Sequence, residues 1–189
     1  MNSETKILKV LLDNKGKKFT IRKIAERAKI NYRIAYEKVH ELEKEGLIMT
    51  LKIGNSKVCE LTNKFNNKLF EAEYERRKEL FKNKDTAVLY KRLCDLQFPF
   101  IALLFGSMAK GTAGKHSDID ILSIGGDFKE LQAVASLWPE KIHLTSISGK
   151  DFMHMAKSKE FTAVSEAIKD NIILIGIEEY YRMLSNANA

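Results

Sequence analysis

Cysteine is scarce: Cys59 and Cys94 are the two thiols in 189 residues, and they stand too far apart for any metal-ligand spacing. Both are expected to be reduced and partly buried. Long apolar runs are missing as well. No stretch approaches the roughly 20 apolar residues that span a bilayer, and Met1-Asn2-Ser3-Glu4-Thr5-Lys6 lacks the apolar core of a secretion signal. A cytoplasmic protein with no membrane partner is expected. Negative charge is short in one half only. Residues 1–83 carry 20 Lys+Arg against 12 Asp+Glu, a net +8, whereas residues 84–189 carry 12 against 13, a net −1. A cationic half joined to a near-neutral half suggests that only the first meets a polyanion.

The basic half reads as helices followed by a hairpin. Ile7, Leu8, Leu11 and Leu12 recur at helical spacing, predicting a helix over roughly residues 4–13. Thr20 is placed to cap a second helix with Ile21, Ile24, Ala25 and Ala28 inward. After a tight turn Asn31 caps a third, with Ile34, Ala35, Val39 and Leu42 inward and Gly46 as its stop. Residues 47–53 and 57–61 then flank Gly54-Asn55-Ser56 as two strands of a hairpin.

This order resembles the winged helix-turn-helix family over residues 4–62. The resemblance implies that the third helix enters a major groove and that the hairpin reaches the backbone or a minor groove. Carried over by position, Asn31, Tyr32, Arg33, Tyr36 and Lys38 begin the recognition helix, while Lys52, Asn55, Ser56 and Lys57 lie on the wing. Cations displace counterions from phosphates, and short polar or planar side chains meet base edges. Double-stranded DNA is therefore the partner expected for residues 1–64. A module that binds protein, or that only dimerises, fits the same pattern.

Residues 65–97 read as a helical connector. Residues 66–82 are helix formers with a charged middle and Leu69, Phe70, Leu80 and Phe81 at the ends, which predicts a solvated spacer helix. Pairing with a second copy is left open. A further helix from Thr86 to Leu96 would face Val88, Leu89, Leu93 and Leu96 inward.

The chemistry begins with Phe100-Ile101-Ala102-Leu103-Leu104-Phe105, a short continuous apolar run expected as a buried strand. Gly106-Ser107-Met108-Ala109-Lys110-Gly111-Thr112 follows, then Ser117-Asp118-Ile119-Asp120 opening a second strand. Glycine at a strand end lets backbone approach a ligand. Ser107 offers a hydroxyl and nearby amides to phosphate oxygens. Aspartates at i and i+2 on a strand share a face, and two converging carboxylates call for a cation between them. Magnesium takes one or two carboxylates and fills its shell with water and phosphate oxygens.

These residues resemble the DNA polymerase β-like nucleotidyltransferases, most closely the minimal ones, over about residues 98–150. Their pattern is a hydrophobic strand, Gly-Ser, a spacer, then Asp-hydrophobic-Asp. The resemblance implies that Gly106, Ser107 and Lys110 hold a nucleoside triphosphate and that Asp118 and Asp120 are catalytic and bind Mg2+. A nucleoside monophosphate would pass to a protein or RNA hydroxyl. One position departs from the pattern. The family adds a third carboxylate from a later strand, and residues 138–147 place His143 there. Histidine can act as a base but is a poor magnesium ligand. Glu140 and Asp151 lack the right phase.

The expected fold is mixed α+β. A winged-helix domain (1–64) and the connector (65–97) precede a nucleotidyltransferase-like domain (98–189) with a mixed sheet packed by helices. Three functions stay open: a nucleotidyltransferase that binds DNA, a degenerate nucleotide-sensing transcription regulator, and an antitoxin-like partner of a small helical toxin.

Overall fold

The computed structural model describes residues 1–54, 56–114, 117–138, 141–158 and 162–188. The chain folds as two units, Met1–Arg76 and Arg77–Ala189. In the first, α1 (Ser3–Leu12), α2 (Ile21–Ala28) and α3 (Tyr32–Lys44) each start at a side-chain cap. Asn2, Thr20 and Asn31 accept from the amides of Thr5, Lys23 and Arg33 at 2.8, 3.2 and 2.8 Å. Each cap satisfies an amide that the helix leaves without a partner. Past α3, Gly46 sits at φ +77°, and the Leu47 amide reaches back to the Leu42 carbonyl at 2.9 Å. That left-handed residue ends the helix.

The hairpin β2 (Ile48–Ile53) and β3 (Ser56–Leu61) is antiparallel, and β1 (Phe19–Thr20) adds to β3, giving the order β1-β3-β2. A two-residue strand has no alternation for a sequence reading to detect. Ile7, Leu8, Ile24, Val39, Leu42 and Cys59 are fully buried between the helices and this sheet. Ile34, expected inward, is 42% exposed. Ala35, Val39 and Leu42 define the buried stripe, and Ile34 lies about 100° away from Ala35 around the helix.

The charged helix α4 (Asn67–Leu80) is not a solvated spacer. Ala72, Glu73 and Arg76 are buried at 0%, 1% and 5% exposure. Arg76 bridges Glu73 at 2.6 Å and Asp13 of the loop after α1 at 2.8 Å. Burial opposes the guanidinium charge, but Glu73 and Asp13 outweigh it and hold its pKa above the ordinary value. Charges this deep stay ionised only when paired, and composition cannot show the pairing.

In the second unit, α5 (Lys84–Cys94), capped by Asn83, leads to β4 (Phe100–Phe105), α6 (Gly106–Ala109) and β5 (Ile119–Gly125). Then come α7 (Phe128–Ser136), β6 (Ile142–Ile147), α8 (Gly149–Lys157), α9 (Ala163–Lys169), β7 (Ile172–Ile175) and α10 (Ile177–Asn188). The sheet order is β6-β5-β4-β7. β4 runs antiparallel to both its neighbours, and β6 parallel to β5 after the α7 crossover. The architecture is mixed α+β.

Central strands are covered on both faces, so β4 is apolar throughout. One face of the sheet packs Leu89 and Leu93 of α5 and Leu131 of α7 on Ala102, Leu104, Ile119 and Ile121. Helices α8, α9 and α10 close the other face, where Phe152 and Tyr180 are fully buried with rings 6.2 Å apart. Val88, expected inward, is 47% exposed. The last helix continues to Asn188, with Ala187 buried at 4% exposure.

Candidate functional site

In the first unit, Asn31 caps α3 so that its first turn projects outward. Tyr32 and Tyr36 are 53% and 43% exposed, with ring centroids 6.3 Å apart, and Tyr36 lies 4.2 Å from the His40 ring. His40 Nε2 stands 3.3 Å from Lys57 Nζ. Lys57 faces Lys52 directly across the hairpin, and like charges so placed repel unless an anion joins them. Arg33 extends into solvent beside Glu37 at 3.1 Å. A groove of about 680 Å³ runs between Arg22, Tyr32 and Tyr36 on one side and Ser56 and Lys57 on the other.

Lys38 is not brought to this face. Its ammonium donates to Glu41 at 2.5 Å and lies 3.5 Å from Glu4. Asn55 lies outside the described residues. The sequence reading missed His40 and Arg22. The spacing of four between Tyr32, Tyr36 and His40 was the available signal.

In the second unit the register aligns Phe105 with Asp120 and Asp120 with His143 across three strands. The end of β4 therefore delivers Gly106 onto Asp120. A β-carbon on Gly106 would stand 2.2 Å from Asp120 Oδ2, and its φ is +69°. Space and backbone both demand glycine here. Ile119 and Ile121 are buried at 4% and 3% exposure, so alternation turns Asp120 to the opposite face of the sheet.

Asp118 stands one residue before β5 rather than within it. Its carboxylate is 3.2 Å from His143 Nε2, and both side chains are about half exposed. Ser107 is the second residue of α6, and its carbonyl accepts from the Thr112 amide at 3.0 Å, folding the loop back. Lys110 closes α6 and donates to Glu166 of α9 at 2.8 Å. Glu166 belongs to no motif, so only tertiary structure could place it here. Asp151 is held in the first turn of α8 by the Ser148 hydroxyl at 2.6 Å. Glu140 lies outside the described residues.

Residues 91–180 match the polymerase beta nucleotidyltransferase family. The matched segment runs from within α5 to the first turn of α10 and takes in Gly106, Ser107, Lys110, Asp118, Asp120 and His143. No curated protein matches the chain. Among solved structures, Sso10a-2, a DNA-binding protein from Sulfolobus solfataricus, is 23% identical with a TM-score of 0.33, covering 49% of this chain and 97% of that one. A likeness that distant does not define the fold of either unit.

The donors at this strand end would suit a hard divalent cation. Asp118 and Asp120 offer carboxylate oxygens two residues apart in sequence at the start of β5. Magnesium needs no more protein ligands than that when phosphates and water complete its shell. Among the described residues no cluster of three His, Cys, Asp or Glu forms a closed metal cage. Burial pushes the Asp120 carboxyl above its ordinary range. His143 and Lys110 oppose that rise, while Glu166 and Asp118 add to it.

Proposed function

We propose that the nucleotidyltransferase domain binds a magnesium-complexed nucleoside triphosphate and that residues 1–64 form a winged-helix module that binds double-stranded DNA. The Gly106–Asp120 contact supports the first part most directly, because it leaves bare backbone against a carboxylate at a strand end. Gly106 and Ser107 lie along the phosphates, Lys110 adds a cation, and Asp118 and Asp120 hold the Mg2+. Bound there, the ion neutralises charge on the triphosphate. The residues around it orient the α-phosphorus toward an acceptor hydroxyl of a protein or RNA. The new P–O bond forms in line as the bond to pyrophosphate breaks. His143, beside Asp118, is the base available for the hydroxyl proton.

The His143–Asp118 contact equally favours a second reading. An imidazole stands on the strand row where the family resemblance calls for a third carboxylate, so the domain would sense nucleotide without turning it over. Incubating the protein with each α-labelled nucleoside triphosphate, magnesium and a lysate of the source cells separates the two. Label retained on a macromolecule, and lost when Asp118 and Asp120 become Asn, establishes transfer. Nucleotide binding without label leaves the sensor, and absence of nucleotide binding refutes both.

The DNA-binding part rests on the Tyr32–Tyr36–His40–Lys57 face and its adjoining cations. The double variant Arg33→Ala/Lys57→Ala should weaken duplex binding. It should also lower the slope of log affinity against log salt by about 2, roughly one unit for each phosphate that no longer meets a cation. An unchanged slope in a filter-binding or anisotropy series would remove this face from the interface.

A further inference from the structure

We propose that Glu166 is a positioning residue that competes with the nucleotide's phosphates for Lys110 and holds the lysine until a triphosphate takes it over. The inference rests on the nucleotide-site reading above and concerns how that site is kept when empty. Lys110 stands three residues after Ser107, at the C-terminal cap of α6. Its ammonium nevertheless donates to the Glu166 carboxylate at 2.8 Å, across 56 residues of sequence. α9 is held on the sheet by Val164 and Ala167, buried at 1% and 0% exposure, and Thr162 and Ser165 cap its start reciprocally. Glu166 is therefore presented from a seated helix and not from a wandering loop.

The surroundings sharpen the competition. Glu166 holds the lysine's pKa above its ordinary value, and Asp170 and Asp120 act in the same direction. Lys110 thus compensates several carboxylates close to where a strongly anionic ligand must enter. With side chains 40% and 31% exposed, the Lys110–Glu166 pair is reachable by solvent and exchangeable. A triphosphate offers the same ammonium several oxygens in place of two. Glu166 also repels that ligand once the lysine has left it. Both effects make the wild-type carboxylate a cost to phosphate binding, and both disappear in the isosteric amide.

The test is an equilibrium titration of the full chain with inorganic tripolyphosphate and with the four ribonucleoside triphosphates in turn, with and without magnesium. Glu166→Gln should bind about two- to fivefold more tightly than wild type, the range that an exposed ion pair governs. Lys110→Met should bind more weakly. In the Lys110→Met background, adding Glu166→Gln should recover less than it gains alone, and with Lys110 intact Glu166→Asp, which keeps the carboxylate, should bind like wild type. A gain in affinity is not something misfolding produces. Unchanged or weaker binding by Glu166→Gln overturns the proposal, the weaker result pointing to Glu166 as a support of the bound ligand. Failure of every protein, wild type included, to bind any of these anions removes the nucleotide site and this inference together.

Discussion

Replacing Asp118 and Asp120 with Asn should abolish magnesium-dependent nucleotide binding and leave the chain folded. Both carboxylates sit at the open end of the central strands, with Ile119 and Ile121 carrying the packing on the other face. The amides keep the shape and remove the two charges that would hold the ion. Asp120→Asn alone should do more than spare the fold: it should raise the melting temperature at neutral pH. The carboxyl's pKa is raised in the folded protein, chiefly by burial, so its ionised form is disfavoured there relative to the unfolded chain. That penalty is present above the raised pKa and vanishes as pH falls below the ordinary carboxylate range. The thermal advantage of the variant should therefore be seen at pH 7 to 8 and close as the solution is acidified through that range. Melting curves across pH check the stability claim, and calorimetric titration with Mg–ATP checks the binding claim. Undiminished magnesium-dependent affinity in the double variant would overturn the site assignment. A neutral-pH destabilisation would show that Asp120 is held by contacts that outweigh its burial.

Arg76→Ala is expected to cost the N-terminal unit about 3–5 kcal/mol, the usual consequence of stranding a buried charge. Glu73 has a fully buried side chain, and Arg76 bridges it to Asp13. Removing the guanidinium leaves that carboxylate facing Lys15, whose ammonium is 4.0 Å away and compensates only part of the loss. Small domains are stable by about 5–15 kcal/mol, so the variant should be near its unfolding threshold at 37 °C. The paired variant Glu73→Leu/Arg76→Met should recover most of the loss, because an apolar pair of similar volume needs no solvation. Chemical denaturation followed by circular dichroism measures both. A loss under 1 kcal/mol in Arg76→Ala would mean that Lys15 or water takes over the role of the arginine.

Much of the local architecture is legible in the sequence because its causes are local. Thr20 and Asn31 cap helices where a hydroxyl and an amide side chain can reach the next amides. Gly46 stops α3 because a left-handed residue is needed there, and the apolar run at 100–105 is a buried strand. Two of the misread positions share one cause. Ile34 and Val88 are apolar residues at the edges of their stripes, and hydrophobicity alone does not say where a stripe ends. The charged middle of α4 reads as solvated because a sequence gives charges without their partners. Asp13 and Arg76 lie 63 residues apart and meet only after α1 and α4 have packed.

The candidate site divides in the same way. The Gly-Ser turn, the Asp-Ile-Asp spacing and the unusual His143 are visible in the order of residues, since each is a short-range pattern of residue types. Folding was needed to press Asp120 on Gly106, to bring His143 to Asp118, and to turn Lys38 toward Glu41 and Glu4. It also carried Glu166 to Lys110 and lined His40 up with Lys57. Those contacts arise from strand register and helix docking, which depend on how whole surfaces bury one another, and no window of neighbouring residues contains that information.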